Sequence, residues 1–488
     1  MDNDLKLREV RRSEFAAHIG DAVAVIPAAI ETVRNDDVHH AFRQSSDFFF
    51  LTGFDEPDAV AVIDPASPAE QYVLFVRPRD RELEIWNGYR AGVDGARTDY
   101  GADAAYPIDE LDQELRRRLL GRSAVYVPMG NAAFRSRVAD VVAGMGGLAQ
   151  RFGRVVPSDL CDSTPVLNDL RLRKTDAELA AMRIACAISA EGHIEAMRFT
   201  APGRYEYQVQ AAMEYVFRMR GSRRDGYPAI VAGGANACIL HYTENDQLLR
   251  DGDLLLIDAG TEYRYHSADI TRTFPVGGRF SSAQRAVYDM VLAAQHASLA
   301  IARSGSTMRQ IHQASVDAIA AGLVDLGLLP GSAEDATRMH HYRDYFMHGA
   351  GHWLGMDVHD AGAYGVEGKP RPLEPGMAFT VEPGVYIAPD RPELELAMFE
   401  YDIDEWVERR MMLGIAKAKE LEAEEREKAP KVSHPVPEAF RGIGVRIEDD
   451  IVITESGYDN LTAAAPTSPD EVEQLAQTSS ELPSLDAR

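Results

Sequence analysis

DGDLLLIDAGTEYRYHSADITRTF, Asp251 to Phe274, reads as a β-hairpin with an acid on each arm. Leu254 to Ile257 is a short apolar run ending in Asp258, and Gly260 lies in the turn region. From Asp269 to Phe274, the residues Ile270, Arg272 and Phe274 alternate with Asp269, Thr271 and Thr273, the period of a half-buried strand. Two carboxylates on paired strands beside an apolar run are costly to bury unless something positive sits between them. A metal ion meets that need. Acids that cap turns at the hairpin ends are the plainer alternative, and the stretch alone leaves both open.

Other isolated acids and histidines tip the balance. In YFMHGAGHWLGMDVHDAGAYG, from Tyr345, close glycines surround His348, His352 and His359. In LEPGMAFTVEPGVYI, a strand over Met377–Val381 ends in Glu382 before a Pro-Gly turn. GIGVRIEDDIVITESG reads as a hairpin whose strand alternates around Arg446 and Glu448. Asp258, Asp269, His352, Glu382 and Glu448 together offer four carboxylates and one imidazole, a formal charge that two divalent cations offset. An oxygen-rich set with one nitrogen suits hard or borderline ions, with manganese the first choice and cobalt, zinc or iron also compatible.

The remainder of the chain divides around this half. Its 488 residues exceed one hydrophobic core, and the expected division is an α/β domain over 1–173, an α+β domain over 174–466 and a polar, disordered tail over 467–488. In the first domain, Ala22–Ile26, Phe48–Leu51, Ala59–Ile63, Tyr72–Val76 and Ala124–Val127 read as strands, and Ile108–Leu120 and Ala132–Val142 as helices. Phe48–Phe50 read as core, and Trp86, among polar neighbours, as a loop residue. Thr175 with Glu178 marks a capping box that opens a helix. Beyond it the expectations are a helix over Glu206–Arg220, strands at Ile230–Val231 and at Leu240–Thr243 carrying His241, and helices over Ser282–Ser304 and Met308–Leu326. The charged segment from 391 to about 434 reads as a solvated surface insertion whose clearest helix is ERRMMLGIAKAKELEAEEREKAP.

Composition narrows the function classes. A net charge of -26 argues against nucleic acid and anionic membranes as partners. Cys161, Cys186 and Cys238 are far apart, which suggests neither a thiolate zinc site nor a disulfide framework. The charged start, MDNDLKLREVRRSEF, lacks the apolar core of a secretory signal, and a cytoplasmic setting is expected. Walker, GxSxG and HExxH motifs are missing.

LLIDAG, SADITRTF, HGAGHWLGMDVHD, TVEPGVY and GVRIEDDIVIT stand in the order and local spacing of the pita-bread metallopeptidases, with eleven positions from Asp258 to Asp269 and seven from His352 to His359. The chain resembles that family, which includes methionine aminopeptidase, prolidase and aminopeptidase P. RQSSDFFFLTGFDEPDA, from Arg43, extends the likeness to the N-terminal domain of the last two. The resemblance implies a pita-bread catalytic domain and hydrolysis of the N-terminal Xaa-Pro bond by a hydroxide shared between two metals. It implies Asp258 on one metal, His352 and Glu382 on the other, and Asp269 and Glu448 bridging. It further implies Glu382 as general base, His359 on the scissile carbonyl, His241 near the leaving proline nitrogen and His348 in the proline pocket. Arg446 and Tyr386 resemble residues that orient ligands, and Trp86 one that closes the pocket from a neighbouring subunit of a homodimer or homotetramer. Prolidase chemistry on dipeptides is the alternative. A binding protein on an inactive peptidase fold is disfavoured, because all five ligands remain. The insertion between Tyr386 and Glu448 departs from the family pattern and leaves oligomer geometry and substrate access open.

Overall fold

The computed structural model describes residues 2–400 and 402–482. The chain forms two compact units, Met1–Arg171 and Leu172–Arg488.

The first unit is a six-stranded mixed sheet with helices. The strand order is Ala104–Pro107, Tyr72–Val76, Val60–Ile63, Val23–Pro27, Ala124–Val127 and Asp159–Asp162. Val60–Ile63 pairs antiparallel with both Val23–Pro27 and Tyr72–Val76, and the other neighbours in the sheet pair parallel. Phe48–Leu51 departs from its expected strand: Ser46–Thr52 is a short helix. Phe48 and Leu51, one helical turn apart, are fully buried, and Gly53 in the left-handed region ends the helix. The guanidinium groups of Arg8 and Arg11 cover Phe49 and Phe50. Trp86 is also helical, on Arg81–Asn87, because the Asp80 side chain accepts from the backbone of Glu82 and Leu83. Trp86 as a whole is 83% exposed.

The second unit opens on helix Asp176–Phe199 with the expected capping box, Thr175 N donating to Glu178 Oε2 at 2.9 Å. Strands Leu254–Asp258 and Thr271–Pro275 pair antiparallel, with Asp258 opposite Thr271, and Ile230–Gly233 pairs on the other edge of the first. A second sheet joins Ala378–Val381 to Asp449–Thr454, which turns back on Gly457–Asn460. A bridge from Thr271 to Glu448 ties the two sheets together.

The hairpin differs from its expectation in one instructive way. Thr271–Pro275 is buried on both faces. The apolar-looking face holds fully buried Arg272, whose guanidinium donates to Asp449 at 2.6 Å and to the carbonyl of Ala465 at 2.7 Å. The polar face meets the site: Thr271 Oγ1 donates to Glu448 Oε2 at 2.6 Å, and Thr273 Oγ1 to Arg446 O at 3.0 Å. Alternation here separates core from a cleft, not core from water. Gly260 is required for a steric reason, since a Cβ there would stand 1.8 Å from the carbonyl oxygen of Ala268.

Four further expectations are corrected. Leu240–Thr243 is turn and coil, and the chain before it is a 3-10 helix over Gly234–Cys238. Arg446 and Glu448 do not share one hairpin strand: Gly444–Arg446 pairs with Gly384–Tyr386, and Asp449–Thr454 with Ala378–Val381. The single inserted helix is two, Ile403–Leu413 and Ile415–Lys428, broken at Gly414 with φ +80°, and they rise from a ribbon of Glu393–Ala397 with Lys431–Pro435. The tail is ordered in part: Pro469–Ala476 is a helix that buries Val472 in the core beside Val276 and Phe274. Residues 483–488 of that tail lie outside the described residues. Among the described residues no helix is long and apolar enough to cross a membrane, and none of the three cysteines forms a disulfide.

Candidate metal centre

Strand register brings the acids together. Val381 stands opposite Asp449 and Gly384 opposite Arg446, so Glu382 and Glu448 occupy the facing gap between two short ladders. Asp258 ends its strand opposite Thr271, which in turn bridges to Glu448. His352 comes from the glycine-rich loop, held by Thr380 N–H donating to His352 O at 2.9 Å. All five lie on one cavity of about 600 Å³, with His241, His348, His359 and Arg446 also on its wall. Tyr386 stands behind that wall and Trp86 belongs to the N-terminal unit.

One ligand atom from each of Asp269, His352 and Glu448 falls within 4.8 Å of the others. His352 Nδ1 donates to the carbonyl of Trp353 at 3.0 Å, which turns Nε2 inward, 3.4 Å from Asp269 Oδ2 and 3.7 Å from Glu382 Oε1. Arg446 organises the opposite side. Its guanidinium donates to Asp258 Oδ2, to Thr271 Oγ1 at 3.0 Å and to the Tyr386 hydroxyl at 2.9 Å. Tyr386 passes its proton toward His348 Nε2 at 2.9 Å, while His348 Nδ1 donates to Gly349 O at 2.7 Å. The tautomer of His348 is thereby set by its neighbours.

The charges in this cluster call for cations. Burial raises the carboxyl pKa values of Asp269 and Glu448, and the charges of neighbouring acids push in the same direction. Glu382 is lifted to about 7, mainly by burial. Burial opposes a charged His352, but its hydrogen bond to Asp269 and the charges of Asp269 and Glu382 outweigh this and raise it to about 9. Without metal, protons are the cations that hold these acids together. The oxygen-rich donor set with one inward imidazole nitrogen therefore fits divalent metal.

A pH dependence follows. Metal must displace those protons, so uptake releases them and weakens as pH falls through about 7, where Glu382 becomes protonated. Titrating metal-free protein with manganese should give an apparent affinity lower at pH 6 than at pH 8 by about tenfold or more. Equal affinities at the two pH values would contradict this account.

Several contributors were invisible in the sequence. The Tyr227 hydroxyl lies 2.6 Å from Asp258 Oδ1 and 2.5 Å from Asp269 Oδ1, so one proton spans both acids. Its position just before the Ile230 strand carries no local signal. Asp450 accepts from the backbone N–H of Asp269 at 2.9 Å and from the Cys186 thiol at 3.3 Å, which fixes where Asp269 stands. An acid beside Asp449 in an EDD run reads locally as surface charge, yet Asp450 is fully buried.

Known proteins share this arrangement of sequence. The pattern of Metallopeptidase family M24 matches residues 180–455, and that of the Aminopeptidase P, N-terminal domain, matches residues 9–126. The Xaa-Pro aminopeptidase of Escherichia coli K12 is 40% identical over 455 residues, 93% of each chain. That of Haemophilus influenzae is 38% identical over 471 residues, 96% of each chain. The solved structure of a Pseudomonas aeruginosa aminopeptidase superimposes with a TM-score of 0.86 at 42% identity, covering 97% of this chain and 98% of its own. The likeness spans both units and nearly the full length, and the chain belongs to metallopeptidase family M24, within its aminopeptidase P group.

Proposed function

We infer that this chain is an Xaa-Pro aminopeptidase, which releases the first residue from peptides with proline second. The observation that carries the reading is the convergence of Asp258, Asp269, His352, Glu382 and Glu448 on one cavity, in a chain similar along its length to Xaa-Pro aminopeptidases. Those five residues would hold two divalent cations, with manganese preferred: Asp258 on one, His352 and Glu382 on the other, Asp269 and Glu448 shared. When bound, such cations acidify water and polarise the peptide carbonyl.

The chain's own groups then divide the work. Glu382 takes the proton of the attacking water, a role open to a carboxylate on the cavity wall. His359, whose ring centroid is 4.1 Å from that of His352, donates to the carbonyl oxygen as it gains charge. The leaving group is the nitrogen of a tertiary amide with no N–H, so it needs a proton as the bond breaks; His241 faces it. His348, held by Tyr386 and Gly349, borders the proline ring. Arg446 keeps Asp258 and Tyr386 in place.

Residues 1–173 serve as scaffold and in assembly as a homodimer or homotetramer, where Trp86 closes the pocket of a neighbour. Residues 174–466 carry the chemistry. The setting is cytoplasmic, and neither nucleic acid nor membrane is a partner. A manganese-loaded preparation should cleave Xaa-Pro-Yaa peptides and spare matched Xaa-Ala-Yaa peptides, read by release of the free first residue. Cleavage confined to Xaa-Pro dipeptides would convert the reading to prolidase.

A further inference from the structure

The segment between strand Ile230–Gly233 and the bridge from Leu248 to Tyr205 runs as a 3-10 helix, Gly234–Cys238, and then as turn and coil. It puts Leu240, His241 and Thr243 on the wall of the cavity that gathers the five candidate ligands. No strand ladder holds those three. Tyr242, between His241 and Thr243, turns the other way and is buried with Ile230, Ala237 and Tyr386.

One side chain spans this segment. Glu206 opens helix Glu206–Met219 and is fully buried. Its Oε1 accepts from Gly233 N at 2.7 Å and from Asn236 Nδ2 at 3.2 Å, and its Oε2 accepts from the Tyr242 hydroxyl at 2.8 Å and from Gln247 N at 2.9 Å. All four donors are uncharged, and all lie within residues 233–247. Burying a carboxylate is costly unless hydrogen bonds replace its water, and here these replacements come from the stretch that carries His241. The backbone N–H of Glu206 adds a further link, to Gln247 O at 3.0 Å. Asn245 fastens the return separately: its side chain accepts from Val231 N at 3.0 Å and donates to Ala229 O at 2.8 Å.

We propose that Glu206 is the positioning residue for His241, acting through Tyr242. The proposal rests on the Xaa-Pro reading, in which His241 faces the leaving proline nitrogen. An imidazole carried on coil needs an anchor to deliver a proton, since a displacement of about 1 Å can cost about a hundredfold in rate. The carboxylate makes that coil a fixed wall, because its lone pairs on both oxygens are met by donors. A carboxamide of the same shape cannot do so. One of its ends carries N–H, which meets the N–H of Gly233 or of Gln247 donor to donor.

The test is Glu206→Gln on manganese-loaded enzyme. For an Xaa-Pro-Yaa peptide, kcat should fall by about ten- to a hundredfold, with KM and metal content close to those of the wild type. Placed on His241→Ala, the same change should cost less than about twofold more, because no imidazole is left to place. A merely structural role would instead give losses that multiply. Amide hydrogen exchange, read by mass spectrometry, should quicken over residues 233–247 and match the wild type over 254–275 and 444–454. Should Glu206→Gln fail to fold, Tyr242→Phe removes the hydroxyl next to His241 and should show the same pattern, with a loss in kcat of about three- to tenfold. An unchanged kcat, losses that multiply, or wild-type exchange over 233–247 would each overturn the proposal. If the wild-type chain cleaves no Xaa-Pro peptide, the function reading fails instead, and exchange decides alone. Faster exchange confined to 233–247 then keeps Glu206 as the group that holds His241 on the cavity wall, and unchanged exchange removes it.

Discussion

Glu448→Ala should leave a folded protein that takes up less manganese than the wild type and turns over Xaa-Pro peptides slower by about three orders of magnitude. Glu448 faces Glu382 across the gap between the two short ladders, and its carboxylate also receives Thr271. Its ligand atom belongs to the tight group with Asp269 and His352. Loss of a group that only orients a metal ligand typically costs about 10–100-fold, and on the proposed assignment, in which Glu448 is shared by two metals, its loss costs more. Asp269→Ala should behave alike. Elemental analysis with kinetics on the same sample is the check. Full metal loading with wild-type turnover in either variant would refute the assignment. The fold should survive, because removing Glu448 from this buried cluster also removes its repulsion with Asp258, Asp269 and Glu382.

His359→Ala should separate metal from turnover. This ring lines the cavity and stands against His352, yet it is exposed and does not belong to the tight ligand group. Partial desolvation on the cavity wall and the neighbouring His352 and His241 lower its pKa, which favours the neutral ring that donates through one N–H. Removing one donor to a developing oxyanion costs about 10²–10³ in kcat. Metal content should match the wild type, with kcat reduced by that factor and KM changed little. A metal-deficient His359→Ala protein would mean that this histidine is a ligand.

The residues of the candidate site were conspicuous one by one in the sequence, whereas their support was not. Asp258, Asp269, His352, Glu382 and Glu448 each stand at a strand end or in a glycine-rich loop, where an ionisable group is conspicuous. Tyr227 and Asp450 act only through residues far along the chain: Asp450 reaches Asp269 across 181 positions and Cys186 across 264. No local pattern reports such a contact. The misread elements have the same origin. Phe48–Leu51 is apolar enough for a strand, but Arg8 and Arg11 from another helix cover its rings and make a short helix tenable. Leu240–Thr243 has strand-like composition but gains no ladder partner.

Local chemistry along the chain determined the residue types of the candidate site, their order, the helix caps such as Thr175 with Glu178, and the excess of negative charge that the proposed divalent cations would offset. These depend on side-chain identity and on hydrogen bonds that span a few residues. Tertiary structure alone decided that Glu382 faces Glu448, that the polar side of Thr271–Pro275 looks into a cleft, and that the inserted helices wall a second cavity beside His348. Register between residues as far apart in the chain as Val381 and Asp449 is chosen by which faces can be buried together, and that choice is made by the packed whole.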